Sequence, residues 1–258
     1  MDPKGKIVVV TGAGSGIGRA LCHAFAAHGA AQVICADINA EAAQETARDI
    51  NGLAREVDVS SPEPIEQLID DTEREIGPID LFVSNAGILV TGGVEVPDAA
   101  WHSIWNINVM AHVWAARALV PRMKARGGGY LVNTASAAGL LNQIGAAPYG
   151  VTKHAAVGLA EWLAMSHADD GIKVSVLCPQ AVRTEMTRGI EDHVASIDGM
   201  LEPEDVAEAS VQAIRAEQFL ILPHAKVREY VQLKGADYER WIKGMTKLNR
   251  QFSALPAD

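Results

Sequence analysis

Tyr149 and Lys153 are four residues apart in an apolar, helix-forming stretch, a spacing that puts both side chains on one helix face. A phenol titrates near ~10 and is a poor base at neutral pH, but a neighbouring ammonium favours the phenolate and lowers that value. Such a pair can take a proton from an alcohol or return it to a carbonyl. The spacing alone is unspecific: Tyr230 and Lys234 repeat it, and that second pair reads as the amphipathic surface of a helix. Context separates the two. Ser136 follows a short β-branched run and precedes Tyr149 by thirteen residues, whereas nothing comparable precedes Tyr230. A hydroxyl and a phenol would thereby meet at the carboxyl edge of a sheet, where open α/β sheets bind ligands.

A second chemical signal lies near the N-terminus, in Thr11-Gly12-Ala13-Gly14-Ser15-Gly16-Ile17-Gly18. Glycines let a backbone turn sharply and approach a ligand without Cβ clashes. The helix that starts there offers free N–H groups and a positive dipole end to a pyrophosphate. A Gly-rich turn can be no more than a tight connection, but its place between a first strand and a first helix points to nucleotide binding. Asp37 ends the next strand, nineteen positions after Gly18. A carboxylate there can accept hydrogen bonds from an adenosine ribose and would repel a 2′-phosphate, so the expected coenzyme is NAD rather than NADP.

The elements that must hold these groups follow from periodicity. Strands are expected at 6–10, 32–36, 53–57, 79–83, 130–133, 173–177 and 219–222. Helices are expected at 17–28, 40–50, 62–76, 98–126, 149–168 and 203–216, the fourth capped by Asp98 and stopped by Gly127-Gly128-Gly129. Strict strand–helix alternation predicts an α/β fold: a Rossmann-type, doubly wound parallel sheet of about seven strands between two helical layers. No linker or composition break divides residues 1–258, so one catalytic domain is expected. Residues 185–201, polar with scattered apolar anchors, read as a substrate lid. Residues 224–258 form a helical extension that either covers the site or makes a subunit contact.

Composition removes other classes. The formal net charge of −10 argues against nucleic acid or a membrane surface as the main partner. No stretch approaches the ~18 uninterrupted apolar residues of a span, and no signal peptide is evident. Three widely spaced cysteines, Cys22, Cys35 and Cys178, read as buried free thiols and point to the cytoplasm. The eight histidines show no ligand spacing, so no metal is expected.

The turn Gly12-x3-Gly16-x-Gly18 resembles that of the short-chain dehydrogenase/reductase family, T-G-x-x-x-G-x-G, and further motifs in the same order extend the resemblance over roughly residues 5–223. It implies that Gly12, Ser15, Gly16, Ile17, Gly18 and Asp37 hold the coenzyme, with Asp58-Val59 at the adenine and Asn85-Ala86-Gly87 near the cofactor. Ser15 agrees with NAD, since NADP-using relatives often carry a basic residue in the turn or just after position 37. Pro179, Val182 and Thr184 would clasp the nicotinamide amide. The family commonly has Asn where this chain has Ser84, and Gly where it has Gln180. By resemblance, Ser136 binds the substrate oxygen, Tyr149 exchanges the proton, and Lys153 tunes Tyr149 and holds the nicotinamide ribose. The oxidised nicotinamide would also favour the phenolate. Asn108 would hold a water that links Lys153 to solvent.

Loops after strands four, five and six carry Ile88, Leu89, Val90, Leu140, Leu141, Ile144, Pro179 and Met186, with Gln143 and Gln180 as polar exceptions. From these, Ser136, Gln143, Ile144, Tyr149, Gln180 and Met186 are the expected substrate contacts. The implied substrate is a hydrophobic, cyclic or aryl-bearing secondary alcohol or its ketone. Arg183 and Arg188 are expected in exposed loop positions. The family commonly pairs the helices matching 98–126 and 149–168, which implies a homodimer or homotetramer. Trp101, Trp105, Trp114 and Trp162 lie on those helices, with core the safer reading for each. Two other functions remain open at this point: a catalytically silent NAD(H)-binding sensor or scaffold, and a related lyase, dehydratase or epimerase.

Overall fold

Val8, Val9 and Val10 are wholly buried although they are consecutive, which requires cover on both faces of a strand. The computed structural model, which describes residues 1–189 and 194–252, supplies that cover. The order along the chain begins β1 (Ile7–Thr11), α1 (Gly16–Ala27), β2 (Gln32–Asp37), α2 (Ala40–Asp49), β3 (Leu53–Glu56), α3 (Pro62–Glu75) and β4 (Leu81–Ser84). It continues with α4 (Asp98–Trp105), α5 (Ala111–Ala125), β5 (Gly129–Thr134), α6 (Ala138–Leu141), α7 (Ala147–Ser166) and β6 (Ile172–Leu177). It ends with α8 (Pro203–Arg215), β7 (Leu220–Ile221), α9 (Ala225–Ala236) and α10 (Tyr238–Phe252).

The strands form one parallel sheet in the order β3-β2-β1-β4-β5-β6-β7. Val9, Phe82 and Leu131 pack under α3, α5 and α7, whereas Val8, Val10 and Val132 pack under α1 and α8. The Rossmann-type expectation is met, with strand ends shifted by one or two residues. The order reverses between β1 and β4, and a crevice opens there at the carboxyl ends of the strands. The phosphate turn follows β1, Asn85 follows β4 and Ser136 follows β5, so topology delivers the candidate residues to one edge.

Two expectations need correction. The helix expected over 98–126 is broken by a wide π turn at Asn106–Met110, centred on Asn108. Such turns commonly sit at functional positions. Here the Asn108 side chain is fastened to the main chain of Ile88, which draws the helix toward β4's exit loop. Asp98 lies in the first turn of α4, and Pro97 holds the capping position without a side-chain cap. The terminating run behaves as expected, Gly127 and Gly128 having φ of 86° and 141°. Residues 190–193 of the expected lid and 253–258 of the expected extension lie outside the described residues.

Candidate active site

The phosphate turn is built for close approach. Gly12 has φ of +67°, and a Cβ at Gly18 would fall 1.9 Å from the Gly12 carbonyl oxygen. Larger residues cannot make this bend. Thr11 locks the turn to β4's exit: its Oγ1 accepts from the N–H of Asn85 (2.9 Å) and of Ala86 (3.1 Å), while Asn85 Nδ2 donates to the Thr11 carbonyl (3.0 Å). Asp37 accepts from the Gly14 N–H (2.8 Å) and the Asn39 N–H (2.9 Å), which fixes its carboxylate beside the turn. Ser15 is exposed at the N-cap of α1, with Ile17 half-buried behind it. Asp58 accepts from the Ser60 N–H (2.9 Å), and Val59 is buried. A glycine cradle at a helix N-terminus, with a fixed carboxylate one strand away, fits a dinucleotide.

The second group of residues converges next to it. Ser136 is 8% exposed; its Oγ accepts from the Ala138 N–H (3.1 Å) and donates weakly to the Pro179 carbonyl (3.3 Å). The Ser136 hydroxyl also acts on the Tyr149 hydroxyl, favouring its ionised form. Lys153, 3% exposed, places Nζ 5.6 Å from the Tyr149 ring centre and donates to the Thr134 carbonyl (2.9 Å). Gly87 is the common neighbour: a Cβ there would lie 3.2 Å from Asn108 Oδ1 and 3.4 Å from Lys153 Nζ.

Asn108 is fully buried, and its side chain is spent on the chain itself. Its Oδ1 accepts from the Ile88 N–H, while Nδ2 donates to the Ile88 carbonyl (both 2.9 Å) and to Thr152 Oγ1 (3.3 Å). That side chain is therefore a clamp.

Burial sets the titration of this cluster. It raises the Tyr149 phenol above its ordinary value, against the pull of the Ser136 hydrogen bond. It pushes the Lys153 amine down to about 8. The phenol of the protein alone is thus raised, where the spacing of Tyr149 and Lys153 predicted a lowering; desolvation outweighs the Ser136 hydroxyl's opposing effect. Burial also pushes the Cys178 thiol up to about 12, which leaves it a poor nucleophile at neutral pH.

Ser136 and Tyr149 open onto a mainly apolar cavity of about 630 Å³. Gln143, Ile144, Gln180 and Met186 line it with Leu89 and Leu141, as the sequence predicted. Ile88, Val90, Leu140 and Pro179 are absent from its lining among the described residues. The opposite wall comes from the 224–258 extension, for which the sequence left site cover and subunit contact open. Tyr230 and Leu233 of α9 and Trp241, Met245 and Leu248 of α10 form it. The helical spacing of these apolar residues was the available signal. Tyr230 therefore belongs to the cavity rather than to a free surface helix: its hydroxyl donates to Asp198 Oδ1 (3.0 Å). Lys234 Nζ donates to the Leu140 carbonyl (2.6 Å).

Two histidines also escaped sequence reasoning. His224 accepts from the Gln180 N–H at Nδ1 (3.1 Å) and donates from Nε2 to the Ala181 carbonyl (3.0 Å), and burial lowers its pKa. It pins the segment that leaves β6, where Val182 is buried and Thr184 touches Gly16. His112, one turn beyond Asn108, is 1% exposed, and neither ring nitrogen has a hydrogen-bond partner. Burial, with Lys153 nearby, drops its pKa to about 3. Of the tryptophans, Trp114 is core, Trp101 is half-buried, and Trp105 and Trp162 are 39% and 56% exposed. The core reading fails for the last two, because they face away from the sheet.

A doubly wound sheet with a phosphate cradle, and a Ser–Tyr–Lys cluster at its carboxyl edge, defines a dinucleotide-dependent class of protein. The family model for short chain dehydrogenases matches residues 6–195, and the chain belongs to that family. It is 36% identical over 233 residues to the 1-deoxy-11-beta-hydroxypentalenate dehydrogenase of Streptomyces exfoliatus, a match covering 86% of this chain and 84% of the relative. It is 35% identical over 235 residues to the epidermal retinol dehydrogenase 2 of Homo sapiens, covering 85% and 74%. A crystal structure of a short chain dehydrogenase/reductase from Burkholderia phymatum in complex with NAD superimposes with a TM-score of 0.86 at 29% identity, covering 93% of this chain and 96% of that one. The protein is accordingly an oxidoreductase acting on alcohols with a nicotinamide coenzyme. No described helix is long and apolar enough to cross a membrane.

Proposed function

We propose that this protein interconverts a hydrophobic, cyclic or aryl-bearing secondary alcohol and its ketone, using NAD. The observation that carries the reading is the convergence of Ser136, Tyr149 and Lys153 at one end of a large apolar cavity, beside the glycine cradle. The named relatives act on a hydroxylated pentalenate and on retinol, both apolar-bodied alcohols, which supports the substrate class.

Gly12, Gly16 and Gly18 would admit the pyrophosphate, Asp37 the adenosine ribose, Asp58 and Val59 the adenine, and Pro179, Val182 and Thr184 the nicotinamide end. The coenzyme supplies a hydride acceptor for oxidation and a donor for reduction. In oxidation, the alcohol proton passes to Tyr149 Oη while the Ser136 hydroxyl turns from Pro179 to donate to the substrate oxygen. In reduction Tyr149 returns the proton. Lys153 stabilises the phenolate and holds the nicotinamide ribose. Asn108 would hold a water that links Lys153 to solvent, while its side chain fixes the π turn to Ile88.

Residues 185–201 would act as a lid and α9–α10 as a cover, with Gln143, Ile144, Gln180 and Met186 shaping the substrate. The exposed Trp162 and Met165 on α7 would join copies into a dimer or tetramer. Three buried free cysteines support a cytoplasmic, reducing setting. The test is NADH absorbance with a panel of cyclic and aromatic secondary alcohols, run with NAD and with NADP. Turnover of these with NAD is expected. Activity confined to charged sugars would remove the substrate class, and a clear NADP preference would remove the role of Asp37.

A further inference from the structure

The phosphate turn borders a second cavity, of about 440 Å³, whose lining has a different character. Gly14, Ser15 and Gly16 contribute from the turn and Arg19 from α1. Arg183, Thr184, Glu185, Thr187 and Arg188 contribute from the segment after β6. The two sides touch, since a Cβ on Gly16 would lie 3.0 Å from the Thr184 methyl. Three arginines against one glutamate leave an excess of two positive charges among the described lining residues, in a chain whose net charge is −10. A pyrophosphate diester carries two negative charges.

These arginines hold replaceable partners. Arg183 Nε donates to Glu202 (2.8 Å), and Arg188 pairs with Glu185. All four side chains are more than half exposed, and exposed pairs of this kind hold weakly. Arg19 pairs with Glu45 (2.9 Å) through one end of its guanidinium, and its Nε is buried with no hydrogen-bond partner. A guanidinium matches phosphate oxygens in geometry as well as charge.

The geometry points to Arg183 and Arg188 as further ligands of the coenzyme pyrophosphate, which they reach by leaving Glu202 and Glu185. The turn they flank joins the two cavities. Thr187 lines both, and Met186 lines the substrate cavity. This role of the arginines rests on the dinucleotide reading of the glycine cradle.

The test titrates NADH by its fluorescence against the wild type, Arg183→Gln, Arg188→Gln, the double variant and Glu202→Gln, with ADP and adenosine as competitors. Each single arginine variant is expected to weaken NADH and ADP about tenfold, as loss of a charge-assisted contact does, and the salt dependence of binding should flatten. Adenosine affinity should stay within about twofold, because it lacks the phosphates that arginine grips. Glu202→Gln should leave NADH affinity equal or tighter, whereas a purely structural Arg183–Glu202 pair would make both partners' variants lose alike. Unchanged NADH affinity in folded Arg183→Gln and Arg188→Gln overturns the inference, and so does an equal loss for adenosine. A wild type that binds no NADH overturns the dinucleotide reading itself.

Discussion

The two walls of the substrate cavity are held in contrasting ways. The wall of α7 is embedded: Thr152, Lys153, Ala156, Val157, Ala160 and Leu163 are buried, and Gly139 sits so close that a Cβ there would lie 2.5 Å from the Lys153 carbonyl oxygen. The wall of α9 and α10 is laid on. Val227 is the buried residue of α9, and α10 has none. Its apolar edge, Trp241, Met245 and Leu248, faces the cavity beside Arg240, while Lys243, Lys247 and Arg250 lie in exposed positions. Reacting groups need fixed geometry, and close packing gives it. Substrate recognition needs apolar area, which a lightly held helix pair can supply and adjust. The expectation is that the embedded wall governs rate and the cover governs affinity.

Tyr149→Phe strikes the embedded wall hardest. It should lower turnover about 10²–10⁴-fold, the range for loss of a general acid–base group. NADH binding should hardly change, because the glycine cradle is untouched. Wild-type alcohol oxidation should quicken toward alkaline pH as the phenol ionises, and ketone reduction should slow. Steady-state rates from neutral to alkaline pH check both, and retained turnover in the variant would dismiss Tyr149 as the proton donor.

The next effect concerns stability behind that wall, where His112 of α5 lies near Lys153. His112 has a folded pKa of about 3, below the roughly 6.5 of an unfolded histidine. Between these values the unfolded chain binds a proton that the folded one refuses. The contribution is therefore full above pH ~6.5 and is lost as pH falls toward 3, at about 1.4 kcal/mol per unit. Denaturant unfolding at pH 7 and pH 4.5 should show this acid loss in the wild type and a smaller one in His112→Phe. An identical loss in both would assign the acid sensitivity elsewhere.

The cover is tested by Trp241→Ala. Removing a partly exposed indole from the cavity should raise KM for an apolar alcohol about tenfold, from ~1–1.5 kcal/mol of lost apolar contact, with kcat and Tm little altered. A large fall in kcat would erase the division between the walls. The smallest effect is expected for Tyr230→Phe, which gives up one solvent-accessible bond to Asp198. A two- to threefold rise in KM, near the lower end of ~0.5–1.5 kcal/mol for a hydrogen bond, would place that contact on the affinity side.

Sequence reading reached the embedded wall more fully than the cover, and particular residues show why. Tyr149 and Lys153 meet through helical spacing, and Gly12 to Gly18 form one continuous turn, so both were legible. The contacts that escaped join distant segments: Lys234 to Leu140 across 94 residues, and Gln180 to His224 across 44. No periodicity encodes such pairings. The π turn at Asn108 was likewise invisible, because it depends on the fit of that side chain to Ile88. Residues such as Trp162 carry no local mark that separates a core helix face from an exposed one.

By itself the chain order of glycines, β-branched runs and helical stretches determined the doubly wound sheet, the glycine turn after β1 and the candidate Tyr149–Lys153 pair, since each depends on neighbours a few residues away. The tertiary structure alone decided which way burial moves the Tyr149 phenol, which helices enclose the substrate cavity and which arginines face the phosphate turn. Desolvation and long-range contact are properties of the packed chain.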